Sequence, residues 1–288
     1  VFYSTQKNPD DVVITLAIRT PLTKAFKGGF KDTSLDFMIY ALLKKVIEKS
    51  NLDPQYVEDI RLGNVCRASR PSKYAMELTS FQVSEQRAAY FIRAASLAAG
   101  FPITTAASSV NRFCSSGLNA VQDIANQISL GQIDCGLAVG AESMSSMAGS
   151  GIDTFHNEIL KNPDAKDCLQ PMGQTSENVG KDFNISREAQ DRFAVETHQR
   201  AERAQKAGWF DDEIVPIVTS IIDPKSGEQK QVTLTKDEGP RYGTTFESLS
   251  KIRPAFPEFG NGSTGGNSSQ VTDGGKDFMG LSAKVSCL

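Results

Sequence analysis

Residues 110–144, VNRFCSSGLNAVQDIANQISLGQIDCGLAVGAESM, set a single cysteine between a strand-like approach and a helix-like exit. Past Cys114, the apolar residues Leu118, Val121, Ala125 and Ile128 recur at helical spacing and line one face, and Gly131 ends the run. CGLAVGAESM then reads as a buried strand. A strand, a cysteine, a helix and a strand in this order predict a parallel or mixed α/β sheet. The same order raises a chemical question. A thiol just ahead of a helix faces free N–H groups and the positive end of the helix dipole, which favour a thiolate. The small residues Ser115, Ser116 and Gly117 leave room for a reactant. Two readings fit this setting: a packed structural cysteine and a nucleophile.

Working outward, Val12 to Ile18 is a continuous apolar run of strand length, which suggests a strand covered on both faces. Ser34 caps a helix whose Leu35, Met38, Leu42 and Val46 recur at helical spacing, and Asp59 to Val65 reads as the next strand. Ser84 opens a further helix that Gly100 and Pro102 stop. From about Met144 to Pro254 the pattern loosens, with strand-like EIVPIVT and QVTLT between polar turns. One long helix also lies in this span, capped by Ser186, favoured by Glu188 and Asp191 and closed by Gly208. The reading is therefore a core over 1–143, an inserted loop subdomain over 144–265 and a return to the core over 266–288.

A chain of 288 residues supports one large domain or two ordinary ones. The net charge of −3 and the lack of any lysine or arginine run argue against nucleic acid or an anionic membrane as partner. No stretch approaches the roughly 18 consecutive apolar residues of a membrane span. The opening VFYSTQKNPDDVV has no basic segment followed by an apolar one, so no secretory signal is read there. Five cysteines without a C-x-x-C pair fit a reducing compartment, and neither a disulfide framework nor a metal site. Cys66, Cys135 and Cys168 read as core residues, and Glu142 as an anchor for loops. His198 reads as a surface or packed residue of the long helix, and His156 falls in the looser insertion. The stretch GNGSTGGNSSQVTDGG (260–275) suits either close backbone approach to a phosphate or a flexible loop, and it does not match a P-loop. Arg241, in DEGPRYG, could pair with a phosphate, but a lone arginine is usually solvated or salt-bridged.

VNRFCSSGL, GLAVGAESMS, QPMGQTSENVG, DEGPRYG, LSKIRPAF and STGGNSSQVTDG follow one another in the order found in thiolases. The opening DDVVITLAIRTPLTKAFKGGFKD resembles the start of that family too, especially the peroxisomal 3-ketoacyl-CoA thiolases. The resemblance implies stacked α/β/α/β/α layers built from two similar halves. This chain corresponds to the first half, a layered α/β/α fold with an inserted loop subdomain. It implies cleavage of a 3-ketoacyl-CoA by coenzyme A in fatty-acid β-oxidation, with coenzyme A as co-substrate and no permanently bound cofactor. Carried over by motif, Cys114 is the nucleophile that holds the acyl group, and its backbone N–H helps bind the oxyanion. Arg241 and Ser248 would lie along the coenzyme A nucleotide, and Met172 and Ser269 along its pantetheine arm. A homodimer paired across sheet edges and a peroxisomal location are implied as well, with mitochondrion or cytoplasm as alternatives.

The pattern departs from the family in three places. The link over 67–84 is longer than usual, the residues after Gly275 are mixed rather than small and apolar, and the motifs N-E-A-F, G-H-P and C-x-G-G-G do not occur. Three other readings stay open: a catalytically incompetent form that binds coenzyme A or a partner chain, a biosynthetic acetoacetyl-CoA thiolase, and a cysteine hydrolase using His156. The expectation for these residues alone is a slow Cys114 acyl adduct without turnover.

Overall fold

The computed structural model describes residues 11–65, 87–146 and 155–282. Cys66, Cys287, the 67–84 link and the expected helix start at Ser84 lie outside the described residues.

The chain divides into two compact units, Val1–Ala148 with Asp211–Glu238 and Val271–Leu288, and Gly149–Phe210 with Gly239–Gln270. The first unit is built on a mixed sheet. Strands β3 (Asp59–Gly63), β4 (Ala106–Val110) and β5 (Cys135–Ser143) run parallel, and β8 (Thr272–Ser282) pairs antiparallel with both β5 and β1 (Val12–Arg19). The order is β1-β8-β5-β3-β4, and the short β2 (Thr23–Lys24) joins β8. The late strand β8 thus lies between two early ones, and β1 and β4 form the edges.

Helices α1 (Leu35–Ser50) and α2 (Arg87–Ala99) cover one face. α1 buries Leu35, Met38, Ile39, Leu42, Leu43 and Val46, the helical stripe read from sequence, against Ile18, Ile60, Leu62, Leu137 and Val139 of the sheet. Fully burying side chains of this size stabilises by about 1.5–3 kcal/mol each. Helix α3 (Ser116–Ser129) covers the other face with Ala120, Ile124 and Ile128 against Ala138. This is a layered α/β/α arrangement.

Three sequence expectations need correction here. β1 is not covered on both faces, since it is an edge strand whose Ile14, Thr15 and Ala17 are exposed. The buried face of α3 runs through Ala120, Ile124 and Ile128 rather than Leu118, Val121 and Ala125. Close contact of Gly117 with the backbone at Gly140 sets that rotation and leaves Leu118 71% exposed. The hairpin of β6 (Ile217–Ile222) and β7 (Gln229–Leu234) clusters with the first unit, whereas the reading assigned it to the loop subdomain. Three contacts draw it in. The Arg19 guanidinium lies between Glu213 and Asp237 at 2.6 Å from each, the Thr33 and Thr219 hydroxyls bond at 2.6 Å, and Ile217 enters the main core.

The second unit holds α4 (Asn157–Leu160), α5 (Pro163–Asp167), α6 (Met172–Asp182), α7 (Arg187–Lys206) and α8 (Phe246–Ser250). α7 begins as its sequence indicates, with Ser186 Oγ accepting from the Ala189 N–H at 3.1 Å, and Gly208 just past its end has φ +73°. Among the described residues, no helix is long and apolar enough to cross a membrane.

Candidate active site

Cys114 lies just past the carboxyl end of β4, where α/β sheets commonly hold their ligands. The ends of β3, β4 and β5 are tied together there. The Asn64 N–H donates to Val110 O at 3.2 Å, and Asn64 Nδ2 donates to Ala141 O and Glu142 Oε1, both at 2.9 Å. Glu142 Oε2 accepts the Val65 N–H at 2.9 Å, the loop-anchoring part read for it from sequence.

From Val110 the chain turns sharply into α3. Asn111 Oδ1 accepts the Phe113 N–H at 3.0 Å, an Asx turn, and Phe113 adopts a left-handed φ of 51°. The Ser115 N–H donates to Arg112 O at 3.2 Å and the Ser116 N–H to Phe113 O at 3.0 Å. With Asn119 N–H donating to Ser115 O, these bonds close the turn, and among the described residues no backbone carbonyl takes the Cys114 N–H. The Cys114 side chain is exposed, and so are Phe113 and Leu118 beside it.

Glycines let the first turn of α3 sit directly on the sheet. A Cβ at Gly63 would lie 2.4 Å from the Ser116 carbonyl, and one at Gly140 would lie 3.4 Å from Gly117 Cα. The thiol is therefore held by backbone on backbone, with the helix N-terminus behind it. The arrangement places an accessible cysteine just ahead of a helix N-terminus, with a backbone N–H that the turn does not use, an element of oxyanion stabilisation.

The other cysteines differ. Cys135 starts β5 inside the main core, and burial, helped by Glu58 and Asp134, pushes its thiol up to about 12. Cys168 is exposed rather than core, because it ends the short surface helix α5, and its Sγ donates to Asp164 O at 3.6 Å. His156 caps α4, its Nδ1 accepting the Glu158 N–H at 3.3 Å, and His198 is half-buried on α7.

Met172, Arg241, Ser248 and Ser269 belong to the second unit. Met172 opens α6 and is 73% exposed. Arg241 is exposed, its carbonyl accepting from the Thr244 hydroxyl at 2.7 Å. Ser248 completes a capping box with Thr245 on α8, and Ser269 is exposed. The glycine-rich stretch is no open phosphate nest over 262–267. Glu177 takes the Gly262 and Ser263 N–H groups at 3.1 and 2.6 Å, and Asn267 links Thr264, Gly262 and Asp191. Burial pushes the Glu177 carboxyl up, but the Ser263 and Gly262 N–H groups outweigh it and hold it below the usual range.

A parallel strand end, a sharp turn and a cysteine just ahead of a helix, backed by this sheet order, define a thiolase-type core. Residues 12–282 match the family "Thiolase, N-terminal domain", and the chain belongs to the thiolase family. It is 46% identical over 271 residues to the peroxisomal 3-ketoacyl-CoA thiolase of Yarrowia lipolytica, covering 94% of this chain and 61% of that protein. The dimeric peroxisomal thiolase of Saccharomyces cerevisiae superposes with a TM-score of 0.82 at 40% identity, over 98% of this chain and 67% of that one. Human mitochondrial 3-ketoacyl-CoA thiolase in complex with CoA superposes with a TM-score of 0.75 at 27% identity, over 97% and 66%. The chain spans 61% of the length of its relatives from Yarrowia lipolytica and Candida tropicalis.

What sequence reasoning missed is the backbone cradle and the hydroxyl of Ser116. Glycines at Gly63, Gly117 and Gly140 were visible, but their meeting depends on strand register and helix rotation together.

Proposed function

We propose that this chain forms the acyl-enzyme of a 3-ketoacyl-CoA thiolase. The observation that carries the reading is the exposed Cys114 at the start of α3 with its own N–H unused by the turn. The Cys114 thiolate adds to the 3-keto carbon, and the oxyanion formed there accepts from the Cys114 N–H. Collapse re-forms the carbonyl and breaks the C2–C3 bond, leaving an acyl thioester on Cys114. The bond's electron pair stays on acetyl-CoA as an enolate, which takes up a proton. A second coenzyme A, its thiol giving up a proton that balances the one the enolate took, then displaces the acyl group, returning the Cys114 thiolate and giving an acyl-CoA two carbons shorter.

The second unit is the loop subdomain in this reading, with Arg241 and Ser248 along the nucleotide and Met172 and Ser269 along pantetheine. The family motifs and the exposure of these side chains support that assignment. A homodimer and a peroxisomal location are supported by the likeness to the dimeric peroxisomal thiolase of Saccharomyces cerevisiae and the peroxisomal thiolase of Yarrowia lipolytica, and a part in fatty-acid β-oxidation follows from the proposed thiolysis. Enolate protonation needs a positioned acid, typically worth about 10²–10⁴-fold, and the family's late histidine and cysteine motifs do not occur in these residues. The expected result with 3-ketoacyl-CoA is an acyl adduct on Cys114 in intact-mass and peptide analysis, absent in Cys114→Ala. An adduct on another residue, or fast thiolysis that survives Cys114→Ala, would overturn the proposal.

A further inference from the structure

We infer that Ser116 is the positioning residue for Cys114, an inference that rests on Cys114 being the nucleophile. In the first turn of a helix a serine hydroxyl commonly bonds locally or faces water. The Ser116 hydroxyl bonds locally, but with both its donor and its acceptor capacity and away from water. It is 3% exposed and reaches backward out of the helix, accepting the Arg112 N–H at 2.8 Å and donating to Phe113 O at 2.5 Å. One oxygen therefore grips the chain just ahead of Cys114, while the Ser116 N–H holds the same Phe113 carbonyl at 3.0 Å.

What it grips is strained. Phe113 sits at φ 51°, a region that an aromatic residue leaves unless its surroundings hold it there. The Phe113–Cys114 peptide carries both the clamped carbonyl and the Cys114 N–H, so releasing that carbonyl lets the N–H swing away from the reacting carbon. Ser116 itself cannot drift, because its backbone lies against Gly63. Ser115 makes a useful contrast. Its hydroxyl is exposed and bonds only Arg112 O, at 2.9 Å.

Ser116 thus acts on the direction of the Cys114 N–H more than on the thiol. Acylation, which builds an oxyanion, depends on that direction, whereas alkylation by iodoacetamide does not. The experiment compares both rates at Cys114, using acetyl-CoA as acyl donor and peptide mass spectrometry as readout. Ser116→Ala is expected to lower acylation by roughly 10²-fold, the usual penalty for a misdirected reacting group, with a much smaller loss in alkylation. Ser116→Thr, which keeps the hydroxyl, is expected to restore acylation, and Ser115→Ala to leave it unchanged. If Ser116→Thr does not fold by circular dichroism, adding Phe113→Gly to Ser116→Ala replaces it. Glycine accepts the left-handed φ without a clamp and is expected to recover part of the rate. A merely structural role would lower both rates together and expose Cys135 to the alkylating agent. That outcome, or acylation of Ser116→Ala at the wild-type rate, overturns the inference. A wild-type chain that never acylates at Cys114 overturns the nucleophile reading first and this inference with it.

Discussion

Replacing Asp277 by alanine should stabilise the protein. Asp277 lies on β8 beside its register partners Ile18 and Val139, both members of the main core, and is 1% exposed. Neither carboxyl oxygen has a hydrogen-bond partner. Burial alone holds the group well above the usual carboxylate range, with no opposite charge to offset it. A buried polar group without a partner costs about 1–3 kcal/mol, and Asp277→Ala removes it. The small cavity left behind returns part of that gain, at about 24 cal/mol per Å³.

The pH dependence has a definite sign. In the unfolded chain Asp277 titrates near about 3.9, while the folded chain keeps its proton to higher pH. Above about pH 4 the folded state therefore binds more protons than the unfolded one, and stability falls as pH rises. The loss reaches up to about 1.36 kcal/mol per pH unit and stops once the folded-state pKa is passed. Stability from this group is complete below the unfolded pKa and lost through the folded one. Urea unfolding of wild type, Asp277→Ala and Asp277→Asn between about pH 4 and pH 8 tests the argument. Alanine should gain over wild type increasingly with pH, and asparagine should remove the slope while keeping the unsatisfied polar group. A gap between wild type and Asp277→Ala that stays flat with pH, or a less stable alanine variant, would refute the reasoning.

Gly63→Ala should misplace the start of α3, because its Cβ would meet the Ser116 carbonyl at 2.4 Å. Overpacking of this kind costs about 1–3 kcal/mol, and thermal melts together with Cys114 alkylation rates would measure it. Arg187→Ala should destabilise by about 3–5 kcal/mol, since it strips the charged partner at 2.7 Å from the buried Asp191 carboxylate and removes the donor to the Ile252 carbonyl; urea unfolding and limited proteolysis of the second unit would detect it.

Local signals were legible in the sequence and long-range ones were not. The helix at Leu35–Ser50 is marked by its 3.6-residue stripe, although Ser34 makes no side-chain cap bond, and that at Arg187–Lys206 by its Ser186 cap, all signals contained within the segment itself. β8 is different. Its insertion between β1 and β5 joins residues more than two hundred positions apart on the β1 side and more than one hundred on the β5 side, and no local pattern encodes either pairing. The edge position that exposes half of β1 follows from the same pairing. The hairpin at 217–234 carried recognisable strands, yet its attachment to the first unit rests on Arg19, Glu213 and Asp237, which meet only in three dimensions. Cys114 was legible because its setting is contiguous. Ser116 was not, since a hydroxyl turned backward into the loop looks in sequence like one more small residue.

That contrast bears on how the chemistry is divided. Around Cys114 the stabilising groups are backbone N–H donors, a helix end, a glycine cradle and a neutral hydroxyl, and all of them belong to the first unit. Such groups act without changing protonation state, so they can stabilise a thiolate and an oxyanion but cannot deliver a proton to an enolate. Neither histidine fits that task from its own surroundings. His156 spends Nδ1 on capping α4, and His198 is packed along α7. Under the proposed reading, acyl transfer to sulfur depends on local backbone geometry, whereas proton delivery needs a titratable group that these neutral donors do not supply. Substitutions at Gly63 or Ser116 should depress acylation across the whole pH range without displacing its pH profile. A profile displaced by Ser116→Ala would mean that the hydroxyl acts on the sulfur's charge, contrary to the geometry of its two bonds.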